Sequence, residues 1–133
     1  MTWYNRRGTK YGAKSTEYNG SVFHSKKEAG RAAELDLLER ANEIENIRRQ
    51  VRISFDICAS CLRLCSSKCS KHPKEIPSHI TNYYIDFVYR DKKTGEEIYE
   101  EVKGFETGEW KLKWKLLCLL YERDPKKKLI VTR

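Results

Sequence analysis

Asp86 is followed 15 residues later by Glu101-Val102-Lys103, and each stands inside a strand-like run. The runs read Tyr83-Tyr84-Ile85-Asp86-Phe87-Val88-Tyr89 and Ile98-Tyr99-Glu100-Glu101-Val102-Lys103-Gly104. Apolar, aromatic and β-branched residues normally fill such strands, so embedded charges call for a reason. Two carboxylates and a lysine there are candidates for a divalent-metal site that cuts phosphodiesters. Hard oxygen ligands suit Mg²⁺, which often binds through one or two carboxylates plus substrate phosphate. Lys103 could position or help deprotonate an attacking water, or neutralise phosphate charge. The competing reading is an acid/lysine pair on a solvated sheet face.

What must position these groups is a β-hairpin. Asp91-Lys92-Lys93-Thr94-Gly95 separates the two runs with turn chemistry. If Arg90 pairs with Glu97, Asp86 stands opposite Glu101, and alternation puts Glu101 and Lys103 on its face. A slip of one residue would send Asp86 to the other face. Opposed carboxylates repel unless a cation or a proton sits between them.

Ser25-Lys26-Lys27-Glu28 is a capping box and predicts a helix to about Ala41, carrying Ala29, Ala32, Ala33, Leu35, Leu37 and Leu38. Asn42 is suited to a left-handed cap. Glu28 could reach back to the amide of Ser25. It also shares a helix side with Ala32 and Leu35, which leaves a role as an outer metal ligand open. The alternation Val51, Ile53, Phe55, Ile57 predicts a half-buried strand, with Arg52, Ser54 and Asp56 as its hydrophilic partners. Gln50 at its entrance is either a surface residue or a substrate contact. Trp110, Trp114, Leu117, Cys118 and Tyr121 form an apolar helical stripe, with Lys111 and Lys115 on the other side. Asp124-Pro125 ends that helix. Lys126-Lys127-Lys128, a candidate phosphate contact, leads into a last strand, Leu129-Ile130-Val131-Thr132. The order predicts an α/β domain, a mixed sheet of about four strands flanked by helices.

Residues 58–79 interrupt this pattern. Cys58, Cys61, Cys65 and Cys69 place four thiols within twelve residues, followed by His72 and His79. Such a set is suited to a structural Zn²⁺ held tetrahedrally. The four cysteines are the first choice of ligands, with His72 able to replace Cys65 or Cys69. Redox-active thiols or an unmetallated loop are the alternatives. A closed four-ligand site has no open position for catalysis. Arg63, Lys68, Lys71 and Lys74 on this insertion could touch DNA.

At 133 residues the chain is in the single-domain range. Its 27 Lys+Arg against 19 Asp+Glu give +8, which favours a polyanionic partner, with nucleic acid first. Residues 1–20 begin with a basic, aromatic stretch, Trp3-Tyr4-Asn5-Arg6-Arg7-Gly8 through Lys10-Tyr11-Gly12-Ala13-Lys14, that reads as a flexible arm able to lie along phosphates. No stretch is apolar and long enough for a membrane helix or signal peptide, so a cytoplasmic protein with reduced or metal-bound cysteines is expected.

Helix Glu28, strand Asp86, then Glu101-Val102-Lys103 on the next strand, followed by helix and strand, resembles the PD-(D/E)XK nuclease superfamily. Lys10-Tyr11-Gly12, the run from Gly20 through Ala29, Gln50, Ile85-Asp86-Phe87 and Glu101-Val102-Lys103-Gly104 are similar to small phage-encoded endonuclease-like members. The likeness covers nearly the whole chain outside the cysteine insertion. It implies a restriction-endonuclease-like core and a Mg²⁺- or Mn²⁺-dependent deoxyribonuclease. Asp86 and Glu101 would hold the metal, with the carbonyl of Val102 as an extra ligand. Lys103 would orient the water, Glu28 would act through water or on a second metal, and Gln50 would be accessory. The family usually has Pro before its first acid, where this chain has Ile85. Related nucleases often act as homodimers on branched DNA such as Holliday junctions, which implies a phage recombination or packaging role in the host cytoplasm. The alternatives from other classes are a non-catalytic, zinc-stabilised DNA-binding module, or an RNA-binding or protein-interaction adaptor.

Overall fold

Two long antiparallel strands, β3 (Ile44–Ile57) and β5 (Ser78–Asp91), form the spine of the protein. The computed structural model describes residues 16–18, 21–23 and 25–133. Strand β6 (Glu97–Val102) returns antiparallel to β5, and β7 (Lys127–Thr132) lies parallel to β6. A two-residue strand β4 (Leu64–Cys65) pairs with the far end of β3. The mixed sheet therefore has five strands in the order β4-β3-β5-β6-β7, one more than expected, because the cysteine insertion contributes β4. The helices are α1 (Lys26–Arg40) and α2 (Gly108–Tyr121). No described helix is long and apolar enough to cross a membrane.

Each element has a local cause. Ser25 Oγ accepts from the Glu28 amide at 3.1 Å and starts α1, a cap of about 1 kcal/mol. Asn42, at φ 64°, takes the left-handed position just past the helix. Thr107 caps α2 in the same way, accepting from the Trp110 amide at 3.0 Å. In the hairpin turn Asp91 Oδ1 accepts from the amides of Lys93 and Thr94, and Gly95 supplies the φ of 77°. Of the residues expected on the α1 stripe, Ala29, Ala32 and Leu35 are buried, whereas Leu37 is 64 % exposed.

The two helices cover opposite faces. Ala29, Ala32 and Leu35 of α1 pack with Ile44, Phe87, Tyr89 and Ile98. Trp110 and Leu117 of α2 pack with Ile53, Phe55, Tyr83, Ile85, Val88 and Tyr99. Side-chain alternation along β5 therefore inverts near Asp86, since Ile85 lies on the α2 side and Phe87 on the α1 side. The same inversion occurs on β3. Arg49 stacks 3.5 Å over the ring of Phe23 in the α1 layer, while Val51 packs in the α2 layer. Gln50, at φ 49°, is the residue that turns the strand over. This is one reason β3 reaches back to Ile44, seven residues before the predicted start. Its first half carries bulged, left-handed residues that hide the period of two.

Two further differences concern the ends. Of the expected 1–20 arm, Thr16–Tyr18 is strand β1, paired with β2 (Ser21–Phe23), and Tyr18 donates to Asp36 at 3.0 Å. The basic residues 1–15 and His24 lie outside the described residues. At the other end, Lys127 is not free for phosphate. It pairs with Glu97 at 3.0 Å and lies 5.2 and 5.0 Å from the ring centres of Tyr99 and Tyr121. Lys126 and Lys128 are exposed, as are Lys111 and Lys115.

Candidate functional site

The predicted hairpin register is the observed one: Arg90 pairs with Glu97, Tyr89 with Ile98, Val88 with Tyr99 and Phe87 with Glu100. There the ladder ends. Beyond it β5 continues beside β3, and β6 beside β7, so the two strands diverge. Asp86 and Glu101 are the first residues past the last pair and stand at the fork. Both are buried, with 8 % and 3 % exposure.

Around the fork the remaining candidates converge. Gln50 Nε2 donates to Asp86 Oδ1 at 3.0 Å and to Glu28 Oε1 at 3.1 Å, so one amide links both carboxylates. The Val102 amide donates to Asp86 Oδ2 at 2.9 Å. Lys103 Nζ lies 3.0 Å from Glu101 Oε1 and 5.2 Å from the ring centre of Trp110. Glu101 Oε2 is buried without a donor in hydrogen-bond geometry among the described residues, although the Tyr83 hydroxyl also acts on this carboxylate and favours its charged form. Glu28, Gln50, Asp86, Glu101, Val102 and Lys103 thus meet at one place. The capping box is only half formed: Ser25 caps the helix, but the Glu28 carboxylate turns inward to Gln50 and to Arg49, 3.6 Å away.

Three buried acids share this space, and the electrostatics register it. Burial raises Asp86 to about 7, helped by the negative charges of Glu101 and Glu28, while the Val102 amide and Lys103 pull the other way. Burial also raises Glu101, against the pull of Lys103. The Tyr83 hydroxyl, which accepts from Trp110 Nε1 at 3.1 Å, is pushed up by burial and by Glu101. Lys103 pairs with Glu101 and Arg49 with Glu28, so two of the three acids have a cation beside them.

A fourth acid has a different task. Glu100 is fully buried on the α1 side, where Arg31 Nε and Nη2 donate to its two oxygens at 2.6 and 3.0 Å. Tyr89 donates to Oε1 at 2.7 Å. This bidentate clamp ties α1, and with it Glu28, to β6. Its sequence signal was only the doubled Glu100-Glu101, whose alternation sends one acid to each face.

In the insertion, Cys58, Cys61, Cys69 and His72 gather with all ligand atoms within 4.8 Å of one another, an arrangement that could hold a metal ion. The Cys61–Cys69 sulfurs are 3.6 Å apart, and His72 Nδ1 is 3.5 Å from Cys58 Sγ and 3.9 Å from Cys69 Sγ. Tetrahedral zinc requires edges of roughly 3.8 Å between sulfurs and roughly 3.6 Å from sulfur to nitrogen. The hydrogen bond from His72 lowers Cys69 to about 6. Cys65, in the first-choice ligand set, is replaced by His72. It is committed to β4, opposite Asp56, and packs behind the cluster. Cys118 is half-buried in α2.

Asp56 is a residue the sequence reading placed among the hydrophilic partners of β3. It is buried and accepts from Ser54 Oγ at 2.8 Å, from the Ser67 amide at 2.6 Å, and pairs with His79 Nδ1 at 2.7 Å. It pins the insertion to both spine strands. The polar half of an alternating strand gives no sign of such a role.

The protein belongs to a family described as a protein of unknown function (DUF1064), whose profile matches residues 8–132. No curated protein and no solved structure matches the chain.

Proposed function

From this family of unknown function, we propose that the present member is a Mg²⁺- or Mn²⁺-dependent deoxyribonuclease with its active centre at the β5–β6 fork. The observation that carries the reading is the buried pair Asp86 and Glu101, with a Glu101 oxygen that has no donor in hydrogen-bond geometry among the described residues and Lys103 beside it. A bound divalent cation would lower the pKa of a water and offset charge developing on the phosphate. Asp86 and Glu101 would hold it, with the Val102 carbonyl as a further donor. Gln50 and the Val102 amide fix the orientation of Asp86. Lys103, anchored on Glu101, is placed to hold the attacking water or a phosphate oxygen. Glu28, already paired with Gln50 and Arg49, acts through water. The core is read as restriction-endonuclease-like, and the Cys58, Cys61, Cys69 and His72 cluster as a structural zinc site. Branched DNA is the proposed substrate, cut by a homodimer.

One observation favours a second reading. Both Asp86 oxygens already have donors and Lys103 already pairs with Glu101, as in a non-catalytic, zinc-stabilised DNA-binding module. A cleavage assay separates the two. Wild type and Lys103→Ala are incubated with labelled four-way junction, flap, single-stranded and duplex DNA, with Mg²⁺, Mn²⁺ or neither. The expected result is metal-dependent cutting, strongest on a branched substrate, that Lys103→Ala reduces by about a hundredfold or more. Binding without cutting of any of these DNAs would overturn the enzyme reading.

A further inference from the structure

Between Asp86 and the insertion, one face of the sheet carries no helix among the described residues. Val51, Ile53, Phe55, Tyr83 and Ile85 belong to the α2 layer, so Arg52, Ser54, Asn82 and Tyr84 point to the other side. On that side the α1 layer takes in Ile44, Phe87, Tyr89 and Ile98, with Ile47, Val102 and Ile130 packed beside them, none of these on β3 between Val51 and Ile57 or on β5 between Ser78 and Ile85. Arg52 pairs across the ladder with Tyr84 and is exposed, and Tyr84 is 52 % exposed. Asn82 Oδ1, between them and the insertion, is buried and receives no hydrogen bond among the described residues, so the strip is open at Arg52 and Tyr84 and covered at Asn82. The open strip thus begins at the carboxylates and ends at Asp56 and His79, where the insertion is pinned.

The insertion at the end of this strip is held rigidly and is strongly cationic. Its thiol/imidazole cluster, the β4 ladder and the Ser67–Asp56 bond fix its backbone. Arg63, Lys68, Lys71 and Lys74 are all exposed, and none forms an ion pair among the described residues. The single acid between residues 58 and 79 is Glu75, which is turned back onto Ser60 and Cys58. Four cations therefore face solvent without an ion pair among the described residues, and the one nearby acid, Glu75 next to Lys74, is bonded within the insertion.

We infer that the insertion is a DNA clamp, which grips the backbone of the duplex arm flanking the cleavage point through Arg63, Lys68, Lys71 and Lys74, with the open strip of Arg52 and Tyr84 as the track between. The DNA partner rests on the deoxyribonuclease reading. Asp86 lies seven residue steps along β5 from His79, which is about 23 Å at roughly 3.3 Å per residue. Phosphates held at the His79 end of the strip would lie about seven base pairs from the scissile one at roughly 3.4 Å per pair.

The test compares wild type with the variant Arg63→Gln/Lys68→Gln/Lys71→Gln/Lys74→Gln in the full chain, with zinc content and circular dichroism measured on both. Affinity for a labelled duplex and for a four-way junction is titrated against salt, without added Mg²⁺ or Mn²⁺. Each lost phosphate contact should flatten the log–log salt slope by about 0.9, so the variant should lose about three to four units. Single variants should each lose about one, which supplies the reading if the fourfold variant loses its zinc. A slope change below one unit on both DNAs overturns the inference. Cutting by the wild type with an unchanged slope sinks the clamp alone. A flattened slope in a protein that never cuts sinks the nuclease reading and keeps the clamp.

Discussion

Asp86→Asn should remove a pH dependence from the stability of the fold. Asp86 ordinarily titrates near 3.8 and stands at about 7 in the folded protein, where burial and the charges of Glu101 and Glu28 oppose its ionisation. Because the folded value is raised, the fold keeps its full stability while the carboxyl is protonated. It loses stability as pH climbs from the unfolded value through the folded one. For one group with these two values, linkage gives a loss of about 2–3 kcal/mol between about pH 5 and pH 8. The variant has no such group to ionise. Asparagine must also turn an NH₂ toward one of two donors, Gln50 Nε2 or the Val102 amide, which costs about 1–2 kcal/mol. That cost is the same at both pH values. The difference of differences therefore isolates the carboxyl: urea unfolding of both proteins at the two pH values, without divalent metal. Wild type should lose about 2–3 kcal/mol more than the variant on going to the higher pH. Mg²⁺ added at the higher pH should restore wild type and leave the variant unchanged. Equal losses in the two proteins would refute the account of three acids crowding one buried space.

Arg31→Met should cost about 3–5 kcal/mol in urea unfolding, because it strands the fully buried Glu100, and Arg31→Met/Glu100→Leu should recover most of it. A cost below 1 kcal/mol for the single variant would deny the clamp its structural role. Cys69→Ser should lose the metal, whereas Cys65→Ser should retain one zinc per chain by elemental analysis. Equal loss from both would return Cys65 to the ligand set. Asp56→Ala should leave the Ser67 amide and His79 without their partner and expose the insertion to limited proteolysis ahead of the sheet, read by mass spectrometry of the first cuts. First cuts in α2 instead would show that the pin lies elsewhere.

The hairpin was legible because its turn chemistry and its alternation agree on one register. Once Arg90 faces Glu97, the meeting of Asp86 with Glu101 follows from the period of two. The helices were legible from their caps and apolar stripes. What stayed hidden is what breaks the period. Asn46 and Gln50 take left-handed conformations that no propensity reserves for Asn and Gln in a strand, and they concealed the first half of β3. For Gln50 the residues alone left a surface role and a substrate contact open, and the resemblance made it accessory; that its amide holds two carboxylates could not be read from spacing. The choice of His72 over Cys65 depended on β4, and a two-residue strand has no sequence signature. Glu100 and Asp56 are acids whose partners lie far along the chain, on α1 for one and in the insertion and β5 for the other. Sequence spacing gives no access to such pairings.

Ile57 and Ser78 face each other across the β3–β5 ladder, one strand spacing of about 4.8 Å apart. A two-residue turn of the Asn-Gly kind spans that gap. The twenty residues between them are therefore a cassette, attached through neighbouring points on one hairpin. A chain without it would still close its spine and keep the fork, since Asp86, Glu101, Lys103 and Glu28 draw no bond from residues 58–77. On the proposed nuclease and clamp readings, gain or loss of such a cassette would alter which DNA is held while leaving the means of cutting it in place, so the two properties could evolve, or be engineered, one at a time.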